Sequence, residues 1–443
     1  MRVIALVDGE HYPPTTRWGL QSARAIGYEV VAALFVGGTE KIAADHEVDL
    51  EGVPVIVGQR PSEGLAAAIA EHRPEGVLDL SDEPVLGYRE RMELAAVALA
   101  AGVPYLGPDF RLDPPITGDP IAAPTLGVIG TGKRTGKTAI AGEAARVAAR
   151  AGMRPVVVAM GRGGPPAPQV AEPGSVDLET LVGMAGAGLH AASDYLEDAL
   201  TTGVLTVGAR RCGGGLAGKP FVTNARAAAE RAVEAGAGLV LLEGSGAAVP
   251  PIPWDAGVLV VPSNAPPEYL GGYLGPLRLL LSDLVVFTMG RSPDVGPEDL
   301  ATLTSHVRRL RPDARVVVTE FRPEPLEDVG GRTVYLATTA PRSVGPELAS
   351  HLEERFRCTV VGVTHELSDR AKLDRDLDAA PEYEVLLTEL KAAAVDVAAE
   401  RARERGAAVV FADNRAETLE GDGDLPELLE QTARTAIERA EDR

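Results

Sequence analysis

Between Thr125 and Ala148 the chain reads TLGVIGTGKRTGKTAIAGEAARVA, and no other stretch restricts the possible folds as much. Leu126–Ile129 is a short apolar run that predicts a buried strand. Gly130, Thr131, Gly132, Lys133, Arg134, Thr135, Gly136, Lys137 and Thr138 follow as a glycine-rich loop, and Lys137–Ala151 has the alanine content of a helix. Strand, loop and helix in that order is the setting in which G-x-x-x-x-G-K-T wraps the phosphates of a nucleotide. The glycines let backbone N–H groups turn inward, and the helix N-terminus adds the positive end of its dipole. Lys137 is expected at the β- and γ-phosphates of ATP and the Thr138 hydroxyl at Mg²⁺. Position 131 holds threonine where glycine is usual; counted from Gly130, the loop is one residue longer than its common form. Such a unit needs a parallel sheet around it, so the chain must be α/β.

Other residues are read from their place relative to this loop. Lys133 and Arg134 project from it and are candidates to offset charge that develops during phosphoryl transfer. GLVLLEGSGAA (Gly238–Ala248) predicts a buried strand whose end places Glu243 where a neighbouring acid meets Mg²⁺ directly or through water. The expected catalytic set is Lys137, Lys133, Arg134 and Glu243, with Thr138 and Glu243 at the metal. Arg162, set between glycines in MGRGGPP, reads as an anion contact. ARRCGGGLAGKPFVTN (Ala209–Asn224) combines Arg210, Arg211 and Lys219 with glycines and no acid, as a segment closing over a phosphorylated substrate would. Near the N-terminus, DGEHYPP sets Asp8, Glu10 and His11 straight after a strand, with Arg17 a helical turn further on. These loops and arginines are the expected substrate contacts. Cys212 has no histidine near it in sequence and reads as a small residue rather than a nucleophile.

A net charge of −21 argues against nucleic acid or an anionic membrane surface as partner. Against that background Pro120–Gly142, Ala144–Ala171 and Ala199–Ala229 contain no acid and collect arginine and lysine, the pattern of a pocket for a small polyanion. Only six of the 43 basic residues are lysines, and two of the six lie in the loop, where a compact ammonium fits between phosphates as a guanidinium fork does not. No apolar run reaches the ~20 residues of a bilayer crossing, and the first residues lack the pattern of a signal peptide. Two isolated cysteines build neither a disulfide framework nor a zinc site. The expectation is a cytoplasmic protein.

Three domains are expected. Residues 1–120 alternate strand and helix (Val3–Val7, Arg17–Ala25, Val30–Val36, Leu65–Glu71, Gly76–Leu80, Tyr88–Ala101), which predicts a Rossmann-like parallel α/β domain. Ligands bind beyond the carboxyl ends of such strands, where Asp8–His11, Gly37–Thr39 and Ser81–Glu83 lie, so this domain is read as substrate-binding. A proline-rich linker, Pro108–Pro124, leads to a P-loop NTPase α/β domain at 121–340. Residues 341–443 form a smaller C-terminal α/β region: a strand at Thr359–Val363, a long amphipathic helix at Tyr383–Arg403, a short strand at Ala407–Phe411 and an acidic helical tail.

With these residues set out, the chain resembles the cyclic 2,3-diphosphoglycerate synthetases. DGEHYPP, GTGKRTGKT, LLEGSG and TTAPR (Thr338–Arg342) stand in that family's order across nearly the full length. The P-loop unit is similar to that of dethiobiotin-synthetase-like enzymes, with the same extra loop residue. The resemblance implies an ATP- and Mg²⁺-dependent ligase that closes a phosphoanhydride between the two phosphates of 2,3-diphosphoglycerate, releasing ADP and phosphate. It also implies a cytoplasmic homodimer. The residues alone leave two other readings open: a P-loop kinase that phosphorylates a small phosphorylated acid without ring closure, and a nucleotide-switched regulatory or metallochaperone protein. The acid-free windows and the additional N-terminal domain favour a small polyanion over a protein partner.

Overall fold

A computed structural model describes residues 1–38, 49–57, 60–391 and 393–443. The first lobe is a six-stranded sheet in the order β3-β2-β1-β4-β5-β6. Its strands are β1 (Arg2–Val7), β2 (Glu29–Phe35), β3 (Val55–Ile56), β4 (Gly76–Asp79), β5 (Tyr105–Leu106) and β6 (Arg111–Leu112), all parallel except β6. Val3 to Val7 are all buried, as an unbroken apolar run predicts for a strand covered on both faces. Helices α1 (Pro13–Ala25), α2 (Pro61–His72) and α3 (Tyr88–Ala100) cover it. The first two begin about four residues before the expected start, each on a proline whose fixed φ suits the first helical turn. The expected strand-end loops follow β1, β2 and β4, although Thr39 lies outside the described residues.

The remaining strands form one large sheet: β7 (Thr125–Gly130), β8 (Pro155–Gly161), β9 (Gln169–Ala171), β10 (Thr206–Cys212), β11 (Val222–Thr223), β12 (Leu239–Glu243), β13 (Ala256–Pro262), β14 (Leu284–Thr288), β15 (Arg315–Pro325), β16 (Thr333–Ala337), β17 (Thr359–Thr364), β18 (Val385–Glu389) and β19 (Ala408–Gly421). Its helices are α4 (Lys137–Arg150), α5 (Leu178–Gly186), α6 (Asp194–Thr202), α7 (Ala225–Glu234), α8 (Glu268–Gly271), α9 (Gly275–Leu280), α10 (Pro297–Leu310), α11 (Gly345–Phe356), α12 (Arg370–Asp378), α13 (Glu400–Glu404) and α14 (Leu425–Glu441).

Two parallel sets make up this sheet, β10-β8-β12-β7-β13-β14-β15 and β19-β18-β16-β17. A long ribbon joins them. β15 pairs with β14 through Arg315–Val318, then runs on past that edge to Pro325, antiparallel to β19. β18 meets only the first residues of β19, Ala408–Ala412, the last of which lies opposite Pro325 at the far end of β15. The second set therefore lies beyond the carboxyl ends of the first and runs back towards it. The carboxyl ends of both sets point into one shared space.

The core explains how the parts hold together. Ile140, Ala144 and Ala148 of α4 share a buried cluster with Leu425, Leu429 and Ala433 of α14, so the acidic terminal helix packs on the P-loop helix. Glu143 on α4 also accepts from Arg146 (2.8 Å), Arg150 (3.2 Å) and Arg415 of β19 (3.1 Å). The first lobe docks through α3: Leu94 and Leu99 are clustered with Leu274 and with Leu277 of α9.

One expected element is corrected. Tyr383–Arg403 is no long helix; it holds β18, a π-helical turn at Ala394–Ala399 and α13. A buried apolar run as short as Val385–Glu389 fits helix or strand by pattern alone, and the open edges of β16 and β19 decide for strand. The short strand expected at Ala407–Phe411 extends to Gly421 because β15 pairs with its second half.

Candidate active site

The phosphate-binding loop leaves the carboxyl end of β7, between β12 and β13. Gly136 takes φ +85°, and a Cβ there would collide with the Phe321 ring. A Cβ on Gly130 would lie 2.8 Å from Thr135 Oγ1 and 2.9 Å from Lys137 Cδ, so this glycine makes room for the lysine stem. Lys137 Nζ donates to Gly132 O (2.8 Å) and to Thr135 Oγ1 (3.2 Å). Thr131, the departure from the usual pattern, donates its N–H to Val260 O at 3.4 Å.

Glu243 ends β12 beside this loop. Its Oε1 accepts from Thr138 Oγ1 at 2.8 Å, and its Oε2 is buried with no partner among the described residues. Burial pushes the Glu243 carboxyl up, with the Asp194 carboxylate adding to the shift, and burial pulls the Lys137 ammonium down. Behind Glu243 stand three acids of α6. Burial raises Asp194 and Asp198, and moves Glu197 up to about 8. The Asp198 carboxyl, otherwise without a donor among the described residues, faces that of Glu243, where a shared proton would join the two. Sequence reasoning missed this group, although Ser193-Asp194 with Glu197 three residues after Asp194 has the look of a helix start that gathers acids on its positive end.

A cavity of about 770 Å³ opens in front of the loop. On one side it is lined by Lys133, Arg134, Lys137, Thr138, Arg162 and Glu243. The opposite wall comes from the carboxyl ends of the second strand set: Thr338 and Thr339 after β16, Glu389 ending β18, and Lys391 just beyond it. Arg322 and Asn414, from the ribbon, complete the enclosure. Glu389 is buried and accepts from Thr338 Oγ1 (2.5 Å), Thr339 Oγ1 (2.9 Å) and Thr339 N (3.2 Å). His365 lies 2.8 Å through Nδ1 from Ala340 O, steadying the same Thr338–Arg342 segment. The volume is in the range of small-molecule sites.

The expected substrate residues separate. Arg162 lines the cavity. Arg211 is buried and donates to Gly213 O (2.7 Å) and Ser245 O (2.8 Å), so it holds the glycine turn after Glu243 rather than facing open space. Arg278 does the same from the other side, donating to Ala247 O at 2.7 Å. Arg210 donates to Gly164 O at 2.5 Å, and Lys219 is exposed; neither is among the described residues lining the cavity. Asp8, Glu10, His11 and Arg17 stay in the first lobe, away from that lining. Asp8 is paired with His11 at 2.7 Å and accepts from the N–H of Glu10 (3.2 Å) and Asp82 (3.3 Å), while Arg17 donates to Asp49 O at 3.0 Å.

Comparison with known proteins finds three family models along the chain. Family models described as cyclic 2,3-diphosphoglycerate synthetase match by their N-terminal domain at residues 2–113, P-loop domain at 125–320 and C-terminal domain at 325–415. The cyclic 2,3-diphosphoglycerate synthetase of Rubrobacter xylanophilus is 47% identical over 95% of this chain and 96% of its own length. That of Methanothermobacter thermautotrophicus is 41% identical over 99% of this chain and 96% of its own. Among solved structures, the hydrogenase maturation factor HypB from Archaeoglobus fulgidus is similar over 45% of this chain and 81% of its own, at 12% identity and a TM-score of 0.29, too low to carry an argument.

Proposed function

The chain belongs to the cyclic 2,3-diphosphoglycerate synthetase family, and from that membership we propose that it converts 2,3-diphosphoglycerate to its cyclic phosphoanhydride at the expense of ATP. The observation that carries this reading is the single cavity shared by the phosphate-binding loop and a second polar wall. A kinase acting on one acceptor oxygen needs one cation-lined wall. A ring closure needs two anionic groups of the same molecule pressed together while a third phosphoryl group arrives.

The chemistry divides into two displacements. An oxygen of one substrate phosphate attacks the γ-phosphorus, the bond to ADP breaks, and a substrate diphosphate forms. An oxygen of the other substrate phosphate then attacks the substrate's own activated phosphorus, closing the ring and expelling inorganic phosphate. Lys137 at the helix N-terminus would hold the β- and γ-oxygens, while Lys133 and Arg134 offset charge on the group in flight. Arg162 would hold a substrate phosphate from the loop side, and Arg211 acts at one remove through the turn that it braces. Thr138 and the unpartnered Glu243 oxygen are a hard-oxygen set fitting Mg²⁺, which when bound would neutralise phosphate charge. The negative oxygens of a nucleotide and a nearby cation are also the groups that would favour the charged forms of Lys137 and Glu243, both opposed by burial.

The proposal includes a cytoplasmic homodimer, as the family resemblance implies; no helix among the described residues is long and apolar enough to cross a membrane. Phosphorus NMR of the purified enzyme with ATP, Mg²⁺ and 2,3-diphosphoglycerate is the test. ADP, inorganic phosphate and a cyclic product are expected in equal amounts. An acyclic triphosphorylated product that accumulates would assign a kinase, and slow ATP hydrolysis with unchanged acid would remove the substrate from the reading.

A further inference from the structure

Lys391 follows Glu389 at the carboxyl end of β18 and lines the cavity opposite the phosphate-binding loop. Its ammonium lies 3.3 Å from Glu197, near enough for a charge-assisted hydrogen bond, and 3.7 Å from Glu389. An ammonium carries three donors, so at least one is left over from these two pairings. The two pairings bind it unequally to its surroundings. Glu389 already accepts three hydrogen bonds from Thr338 and Thr339, which fix that carboxylate and leave it to aim the lysine rather than grip it. Glu197, on α6, lines the same cavity and is the nearer partner. Although burial pushes the Lys391 ammonium down, the two carboxylates hold it above its ordinary value, so it stays charged. Arg322, the other cation on this side, is committed: its Nη2 donates to Glu347 at 2.5 Å. The scarce lysines point the same way, since Lys133, Lys137 and Lys391 are three of only six in the chain and all line this one cavity.

We propose that Lys391, aimed by Glu389 and the Thr338–Thr339 pair, is the contact through which the C-terminal strand set binds the doubly phosphorylated acid, holding the anionic group that faces away from the nucleotide. The proposal rests on the cyclisation reading and gives its second wall a task. Cations on the loop side alone hold one phosphate and leave the other repelled by it. A cation on the opposite wall brings that second phosphate into line before the ring can close.

Two measurements test it. On the unaltered enzyme, saturating 2,3-diphosphoglycerate alone should shift the Lys391 side-chain ammonium resonance in NMR, assigned by its loss in Lys391→Arg. ATP alone should not, and the resonance of exposed Lys372 should stay in place throughout. In variants, Lys391→Met leaves Glu197 and Glu389 without their cation, so Lys391→Met/Glu197→Gln is the folded comparison. Its dissociation constant and KM for 2,3-diphosphoglycerate should rise about 10- to 100-fold with ATP binding unchanged, and Lys391→Arg should recover most of the loss. A Lys391 resonance that does not move on saturation with the acid overturns the proposal. So does a double variant that binds the acid normally, which would leave Lys391 as the neutraliser of two carboxylates. Neither outcome depends on whether Lys137→Ala abolishes turnover, which tests the function itself.

Discussion

Two sets of parallel-strand ends in this molecule carry dense polar side chains, and they are wired in opposite ways. In the first lobe, Asp79 accepts from Ser81 N (3.0 Å), Ser81 Oγ (2.5 Å), Arg91 Nε (2.7 Å) and Tyr105 OH (2.8 Å). Asp8 is likewise answered by His11, Glu10 and Asp82. Around the phosphate-binding loop, Glu243 Oε2 is buried with no donor among the described residues and abuts the equally buried carboxyl of Asp198. Buried polar groups answered within their own lobe make it rigid. Buried groups left open are costly unless something else answers them, and they mark where a ligand is expected. On this reading the first lobe's cluster is scaffold and the large sheet's is the site.

Lys137→Ala should cut turnover by ~10²-fold or more while thermal unfolding stays near that of the parent. A folded variant keeping more than about half the rate would remove the loop from the chemistry. Asp79→Ala is the mirror experiment, expected to lose about 3–5 kcal/mol of stability because Arg91 is left without its buried partner. The kcat of the folded fraction should be unchanged; a kcat loss with stability intact would make the first lobe's cluster functional and break the contrast. Glu243→Gln should raise the Mg²⁺ half-saturation point about tenfold, measured by titrating the ATPase rate, and an unchanged curve would return Glu243 to the scaffold. The smallest effect is expected from Arg17→Ala and His11→Ala. Both should shift the KM for the acid by less than about threefold, against about tenfold for Arg162→Ala. A larger rise for the first-lobe variants would bring that lobe into the binding site, as the sequence suggested.

How much of this was legible varies with the range of the interaction. In the first lobe β1, β2 and β4 lie within a residue or two of where their apolar runs placed them, since a strand buried on both faces writes itself as a continuous run, whereas the two-residue strands β3, β5 and β6 were not expected. The loop residues followed from adjacent positions. Arg211 shows the limit: its charge and glycine neighbours suited an anion contact, but both its terminal nitrogens donate to carbonyls 2 and 34 residues away. Thr338, Glu389 and Lys391 carried only the TTAPR segment and the rarity of lysine as signals.

Local order along the chain by itself determined the phosphate-binding loop, the parallel α/β class and the acid at the end of the neighbouring strand. Each rests on contacts within a few residues or on a periodicity of burial, and both survive in a linear string. The tertiary structure alone decided what faces the loop. β15 runs on past its pairing with β14 from Thr319 to Pro325 and pairs there with β19 from Thr319↔Thr418 to Pro325↔Ala412, a closure across roughly a hundred residues. That antiparallel pairing turns the second strand set round, so its carboxyl ends meet those of the first. Hydrogen bonds between open strand edges set this geometry, and a strand's sequence records that it needs partners without recording which ones.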